Sequence, residues 1–186
     1  MLTFRQFLLE MPGQKVALLP GGFKPPHKGH LAALRYLINS NSATAAIVFV
    51  GHKERYDITG EVAFTSDQSK QIWEVYSKYI NVDFQIILPD NPVRAVYEHI
   101  KQHPNDFFYL GAGIEDQKRW SAINTSVDEF GELIYGNAEI VEIPDQFGRI
   151  SGTVSRDGIC DKVWDCLPIE VLTPEDIAKV KAILNP

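Results

Sequence analysis

The chain is poor in cysteine, in positive charge and in long apolar runs, and each shortage excludes something. Cys160 and Cys166 are the two cysteines in 186 residues. With no histidine close to them in sequence, they give neither a disulfide framework nor a zinc spacing, and a reducing cytoplasm suits them. Lys and Arg number 18 against 24 Asp and Glu, a formal net charge of -6 at pH 7. That balance argues against a general binder of nucleic acid or of anionic membrane, which calls for a net basic face. No uninterrupted apolar stretch is long enough to span a bilayer, and the opening MLTFRQFLLEM holds an acidic residue and too short an apolar run for a signal peptide. Internal repeats, low-complexity tracts and linkers are also missing. With 45% hydrophobic and 23% charged residues, the expectation is one domain over residues 1–186.

Short apolar blocks rich in β-branched and aromatic residues recur at 15–19 (KVALL), 45–50 (AAIVFV), 82–88 (VDFQIIL), 106–111 (DFFYLG) and 138–143 (AEIVEI), each the length of a buried strand. Helical segments alternate with them. One runs from Gly29 to Asn39, one follows Ser66 as its cap, and one follows Asn91 as cap with Pro92 in the first turn. The alternation predicts an α/β domain of Rossmann-like, doubly wound type with a five-stranded parallel sheet, in the order 3-2-1-4-5 when the blocks are numbered along the chain. Its ligand site belongs outside the carboxyl ends of the strands. Residues 151–186 read as a C-terminal helical segment, its last helix starting at Thr173-Pro174-Glu175-Asp176 with cap, first-turn proline and first-turn acids in order. Phe4, Phe7 and Leu8 recur at helical spacing, so residues 1–12 read as a docked amphipathic helix. The same residues resemble the leader peptides of tailed-phage internal head proteins, and this resemblance sets packaging in a phage head as the alternative to the cytoplasm.

The densest chemistry lies in GGFKPPHKGH, residues 21–30, between the first strand and the first helix. Gly21 and Gly22 allow close approach of the backbone to a ligand or positive φ, and Pro25 and Pro26 stiffen an extended path. His27 and His30 lie three apart across a helix start, so both rings can face one side, above unpaired N–H groups and the positive end of the helix dipole. Imidazoles there are poor places for charge when the site is empty, whereas a polyphosphate favours donating, protonated rings. The ligand this predicts is a nucleoside triphosphate. Lys24 adds a mobile cation for a triphosphate or acceptor phosphate, or is merely solvated; for Lys28 solvation is the favoured reading.

The pattern Gly21-x-Phe23-x-Pro25-x-His27-x-Gly29-His30 resembles the HxGH signature of the nucleotidyltransferase superfamily, which includes nicotinamide mononucleotide and pantetheine-phosphate adenylyltransferases and glycerol-phosphate cytidylyltransferases. Ile150-Ser151-Gly152-Thr153-Val154-Ser155-Arg156 resembles that family's distal Ile-Ser-Ser-Thr-x-x-Arg motif, with Gly152 in place of the second serine. Ser151 and Thr153 bring hydroxyls to a helix start and Arg156 a planar fork for phosphate oxygens, while Gly152 keeps its N–H and lacks a hydroxyl, a loss of about 1 kcal/mol if that hydroxyl matters.

The resemblance implies in-line attack by an acceptor phosphate oxygen on the α-phosphorus of the triphosphate, with release of pyrophosphate and no covalent enzyme intermediate. His30 would contact the α-phosphate in the transition state, His27 the phosphates beside it, and Arg156, Ser151 and Thr153 the β- and γ-phosphates. Mg2+ would arrive with the triphosphate, held by phosphates and water, with no protein carboxylate assignable to it. LGAGIEDQKRW resembles the Gly-rich turn these enzymes set against base and ribose. Gly111 and Gly113 would allow close approach there, and Asp116 would contact ribose or base or act as a plain helix cap. His52, Lys53, Arg55 and Arg94 are the candidates for an acidic acceptor, each with solvation as its alternative.

The cytidylyltransferase branch carries an arginine that Gln146-Phe147-Gly148-Arg149 lacks at its first position, which favours ATP over CTP. The acceptor is a small phosphorylated molecule: nicotinamide mononucleotide, phosphopantetheine or a sugar or alcohol phosphate. Partners beyond these substrates are not expected, neither nucleic acid nor membrane, and a homo-oligomer stays open. A catalytically silent nucleotide-binding protein of the same fold, such as a phage head protein, is the competing reading.

Overall fold

A computed structural model of the chain describes residues 13–56, 60, 63–144 and 166–184. The N-terminal segment 1–12, and the part of 151–186 before Cys166, lie outside the described residues. Five parallel strands form the main sheet: β1 Lys15–Gly21, β2 Ala45–Val50, β5 Asp83–Ile87, β6 Phe107–Ala112 and β7 Ala138–Glu142. They lie in the order β5-β2-β1-β6-β7, which is the expected 3-2-1-4-5 with the large strands counted alone. A two-stranded antiparallel pair, β3 Arg55–Tyr56 and β4 Ala63–Phe64, stands apart from it. The helices are α1 Lys28–Asn41, α2 Ser66–Ser77, α3 Pro92–Gln102, the short α4 Ala122–Thr125 and α5 Pro174–Leu184.

Both faces of the sheet are covered because β1 alternates with period two between buried sets. Ala17 and Leu19 face one core with Leu31, Leu34 and Leu37 of α1, Ile72, Trp73 and Tyr76 of α2, and Val180 and Leu184 of α5. Val16 and Leu18 face the other, with Phe49, Val96 and Ile100 of α3, Trp120 and Ile123. The spacing 31, 34, 37 keeps one stripe of α1 on the sheet, and each such leucine contributes roughly 1.5–3 kcal/mol by leaving water.

Local signals explain where the helices begin. The Asn91 side chain accepts the Arg94 N–H at 3.1 Å, with Pro92 in the first turn, as the sequence predicts. Ser66 is not the cap of α2. That place belongs to Thr65, whose hydroxyl accepts the Gln68 N–H at 3.1 Å while Gln68 Oε1 accepts the Thr65 N–H at 3.0 Å, a reciprocal capping box. α1 begins one residue before the expected Gly29, at Lys28, with extended His27 as its cap residue. Among the described residues no helix is long and apolar enough to cross a membrane.

The C-terminal helix is fastened to α2. Asp176 is 5% exposed; its Oδ1 accepts from Lys78 Nζ at 2.6 Å and its Oδ2 from the Tyr79 hydroxyl at 2.7 Å. Gln68 Nε2 donates to the Ile183 carbonyl at 3.1 Å near the far end of the same contact. Hydrogen bonds from Lys78 and then Tyr79 hold the Asp176 carboxyl below its ordinary value. A carboxylate whose folded-state pKa is depressed contributes stability that is fully present above its unfolded value, near 3.8, and is lost as pH falls through the lower folded value. Asp176→Asn should therefore lower the melting temperature at neutral pH and flatten the acid limb of a stability curve below about pH 4, read by thermal or urea unfolding across pH.

Candidate functional site

The chain enters the sheet at its middle strand, moves outward through β2 and β5, then returns across β1 to β6 and β7. The direction of winding reverses between β1 and β6, and a crevice opens outside their carboxyl ends. There lies a cleft of about 710 Å³. Gly21, Gly22, Phe23, His27, Gly29 and His30 line it from the β1–α1 side, and Gly111, Gly113 and Asp116 from β6 and the loop after it. Residues far apart in sequence and expected at one site thus share one cavity.

The β1–α1 loop leaves the ladder of the sheet, so its polar backbone groups need partners elsewhere. Two come from α2: the Ser69 hydroxyl donates to the Phe23 carbonyl, and the Tyr76 hydroxyl to the Pro26 carbonyl at 3.3 Å. Phe23 has a left-handed backbone, φ +48, which costs about 1–2 kcal/mol for a residue with a Cβ. Its buried ring offsets that cost by packing edge-on against Trp73 at 5.4 Å and His30 at 4.8 Å between centroids. Gly21 is required beneath it, because a Cβ there would lie 2.7 Å from Phe23 Cζ.

Lys24 departs from the expected mobile cation. It is 2% exposed, and its ammonium donates to the carbonyls of Gly51 and Lys53 beyond β2. Burial first, then the neighbouring Arg55 charge, lowers its pKa to about 8, with Glu54 opposing. The physical reason is that the loop buries its stem while two carbonyls at the end of β2 converge on its head.

His27 and His30 are stacked, with ring centroids 3.5 Å apart and planes at 21°, on the first turn of α1. His27 is 1% exposed. The His27 N–H donates to His30 Nδ1 at 3.3 Å, so Nδ1 is an acceptor and the neutral ring carries its proton on Nε2. Burial, and secondarily the adjacent His27, push the His30 pKa well below its ordinary value. An uncharged hydrogen-bond donor therefore stands beside the positive end of a helix dipole, an arrangement suited to an anion.

The glycines of the two walls differ in what a side chain would meet. Gly113 and Gly22 have open space where a Cβ would stand, whereas a Cβ on Gly111 would meet Leu37, Ile143 and Leu19 at 3.1, 3.2 and 3.3 Å. Gly111 serves helix-on-sheet packing, and the room for a ligand is at Gly113. Asp116 precedes the 3-10 turn Gln117–Trp120 without a side-chain cap bond, and instead its Oδ1 lies 3.0 Å from Arg119 Nη1. Arg119, which also lines the cleft, escapes sequence reasoning; its signal is the spacing of three from an acid in a single turn.

The expected acceptor residues do not join this wall. His52, Lys53 and Arg55 are exposed on the segment after β2 and do not line the cleft. Arg94 is tied to Glu98 at 2.7 Å and lines a separate surface hollow with Tyr97 and Tyr135. The start of α3 does reach the cleft, since Pro92 and Val93 line it, but Arg94 turns to the separate hollow. Ser151, Gly152, Thr153 and Arg156 lie outside the described residues. Among the described residues no group of three or more His, Cys, Asp or Glu has an arrangement able to hold a metal ion.

Fold and cleft together define a doubly wound α/β protein with a cleft at the switch point. No protein-family model and no curated protein matches the chain. Solved structures do resemble it. A nicotinic acid mononucleotide adenylyltransferase of Plasmodium falciparum complexed with NaAD aligns over 90% of this chain and 94% of its own, with TM-score 0.55 and 16% identity. A putative nicotinate-nucleotide adenylyltransferase of Vibrio parahaemolyticus aligns over 90% of this chain and 98% of its own, with TM-score 0.52 and 16% identity. A bifunctional NMN adenylyltransferase/ADP ribose pyrophosphatase of Francisella tularensis, complexed with AMP and a Mn ion, aligns over 93% of this chain and 50% of its own, with TM-score 0.55 and 13% identity. At these identities the likeness is one of fold.

The loop's anchors give a test. Ser69→Ala leaves the buried Phe23 carbonyl without its hydroxyl donor and should lower unfolding stability by about 1–3 kcal/mol. Tyr76→Phe, whose hydroxyl bond is long at 3.3 Å, should cost less, about 0.5–1.5 kcal/mol; denaturant unfolding of both variants checks the order.

Proposed function

We propose that this protein is a nucleotidyltransferase that moves AMP from ATP to a small phosphate-bearing acceptor and releases pyrophosphate. The observation that carries the reading is the stacked His27–His30 pair on the first turn of α1, opening on a cleft whose opposite wall is the glycine-containing edge of β6. Support at the level of fold comes from the likeness to nicotinic acid mononucleotide and NMN adenylyltransferases, two of them captured with NaAD and AMP. ATP is preferred to CTP on the same likeness and on the missing first arginine before Ile150.

In this reading the triphosphate lies over the N-terminus of α1. His30 Nε2–H donates to the α-phosphate, where charge builds as the acceptor oxygen attacks and the pyrophosphate departs. A fixed donor in a dry pocket needs no reorganisation at that moment, which is why such groups are worth about 2.7–4 kcal/mol. His27 stands behind it, and Ser151, Thr153 and Arg156 take the β- and γ-phosphates. The protein supplies no nucleophile, so rate comes from alignment and from charge stabilisation. Magnesium enters as part of the triphosphate substrate, neutralising its oxygens.

Pyrophosphate release, measured for ATP and CTP against nicotinamide mononucleotide, nicotinic acid mononucleotide, phosphopantetheine and glycerol phosphate, tests the assignment. Turnover is expected with ATP and one of these acceptors, and His30→Ala should reduce kcat about 100- to 1000-fold. Tight ATP binding without turnover on any acceptor would instead identify a silent nucleotide binder. Because burial holds His30 neutral and a polyanion favours the protonated ring, the bound pKa is the higher one. Triphosphate affinity should therefore rise as pH falls through the raised bound value towards the lowered free one, with proton uptake on binding, measured by calorimetry in buffers of different ionisation enthalpy.

A further inference from the structure

The two walls of the cleft carry charge differently. The β1–α1 wall offers imidazoles and polarised N–H groups, and Lys24 of the same loop does not line the cleft but is committed to the carbonyls of Gly51 and Lys53. The wall after β6 carries Glu115, Asp116 and Arg119, and Arg119 is the one lysine or arginine that lines the cleft among the described residues. Its bridge to Asp116 is short, 3.0 Å, yet the two side chains are 67% and 51% exposed. An ion pair so open to water is worth little, so a better-matched anion displaces the carboxylate at small cost. The backbone beneath is fixed: the Arg119 carbonyl accepts the Tyr97 hydroxyl at 3.1 Å, and the next residue, Trp120, is 3% exposed. The root of the side chain is rigid while its head is exchangeable.

We propose that Arg119 binds the acceptor, its guanidinium leaving Asp116 to grip the acceptor's phosphate or another anionic group of the same molecule. The inference rests on the nucleotidyltransferase reading above and adds where the second substrate is held. β1 and β6 are hydrogen-bonded neighbours, so their loops rise side by side from the sheet edge. The charge of a triphosphate is drawn to the start of α1, and adenosine, being uncharged, matches a guanidinium less well than an anion does. The remaining anion in the reaction is the acceptor. A guanidinium presents a planar fork that matches phosphate or carboxylate oxygens in pairs, which an ammonium cannot do. Glu115 and Asp116 beside it outnumber the single arginine, so an anion that fails to engage the fork meets net repulsion, a filter on which molecules enter.

The test is steady-state pyrophosphate release by wild-type protein, Arg119→Ala and Arg119→Lys. Each is run with acceptor varied at saturating ATP and then with ATP varied at saturating acceptor, while calorimetry follows ATP binding directly. Arg119→Ala should raise the acceptor KM about 10- to 100-fold, the range for losing a charged hydrogen-bonding partner, and leave ATP affinity within about twofold. Arg119→Lys should recover part of the loss, since it keeps the charge without the fork. An unchanged acceptor KM in an active Arg119→Ala protein overturns this inference alone, as does a rise confined to the ATP KM. A wild type that binds ATP and never releases pyrophosphate overturns the transferase reading and this inference with it.

Discussion

Everything at this site depends on how residues 21–27 satisfy their backbone after leaving the sheet. A chain segment that quits a ladder loses its regular partners, and a buried one cannot fall back on water. Here Ser69 and Tyr76 of α2 hold the carbonyls of Phe23 and Pro26 and the Gly51 N–H donates to the Gly21 carbonyl, while Lys24 reaches out of the loop to carbonyls beyond β2. Pro25 and Pro26 help by having no N–H to satisfy. The consequence runs further than the loop. α2 is itself fastened by α5 through Asp176 and Gln68, so the position of the imidazole pair is secured by contacts on the far side of a helix.

The electrostatic design follows from the same burial. A pocket suited to polyanions is commonly lined with lysines, but the β1–α1 wall presents neutral rings and backbone dipoles instead. Burial holds the His30 pKa well below its ordinary value, which spares this wall a buried unpaired cation, a costly thing to hold. Lys24, the loop's one interior ammonium, follows the same rule by spending its hydrogens on carbonyls, and burial still pulls its pKa to about 8.

Much of this was legible in the residues, for reasons that can be named. The strands show because blocks such as AAIVFV are buried on both faces, and their alternation with helices leaves the doubly wound sheet as the economical solution. Asn91-Pro92 and Thr173-Pro174 mark helix starts because capping is a local matter of one side chain and one N–H. The spacing of His27 and His30 shows as a shared face because it needs only helix geometry. What stayed hidden depends on packing between distant segments. Nothing in the amphipathic pattern of α2 says that Ser69 and Tyr76 grip one particular loop, and nothing around Lys24 says that two carbonyls await it 27 and 29 residues on. The pair β3–β4 has two residues in each strand, too few for periodicity to register. Arg119 was invisible because its importance comes from which wall of the cleft it occupies.

Gly111 and Gly113 show how fold and site divide the labour within three residues. Gly113 faces open space, and its neighbours are free to vary with the molecule the cleft receives, as loops on a shared scaffold do. Gly111 faces Leu37, Leu19 and Ile143, and a Cβ there would require their ends to yield by a few tenths of an ångström. Leu37 belongs to α1, the helix whose first turn holds His30. A methyl group on the sheet would press on that helix from below, so a residue that need touch no ligand still sets the height at which the imidazole meets the cleft. The packing glycine answers to the helix above it, and the cleft-facing glycine leaves the room that the cleft offers.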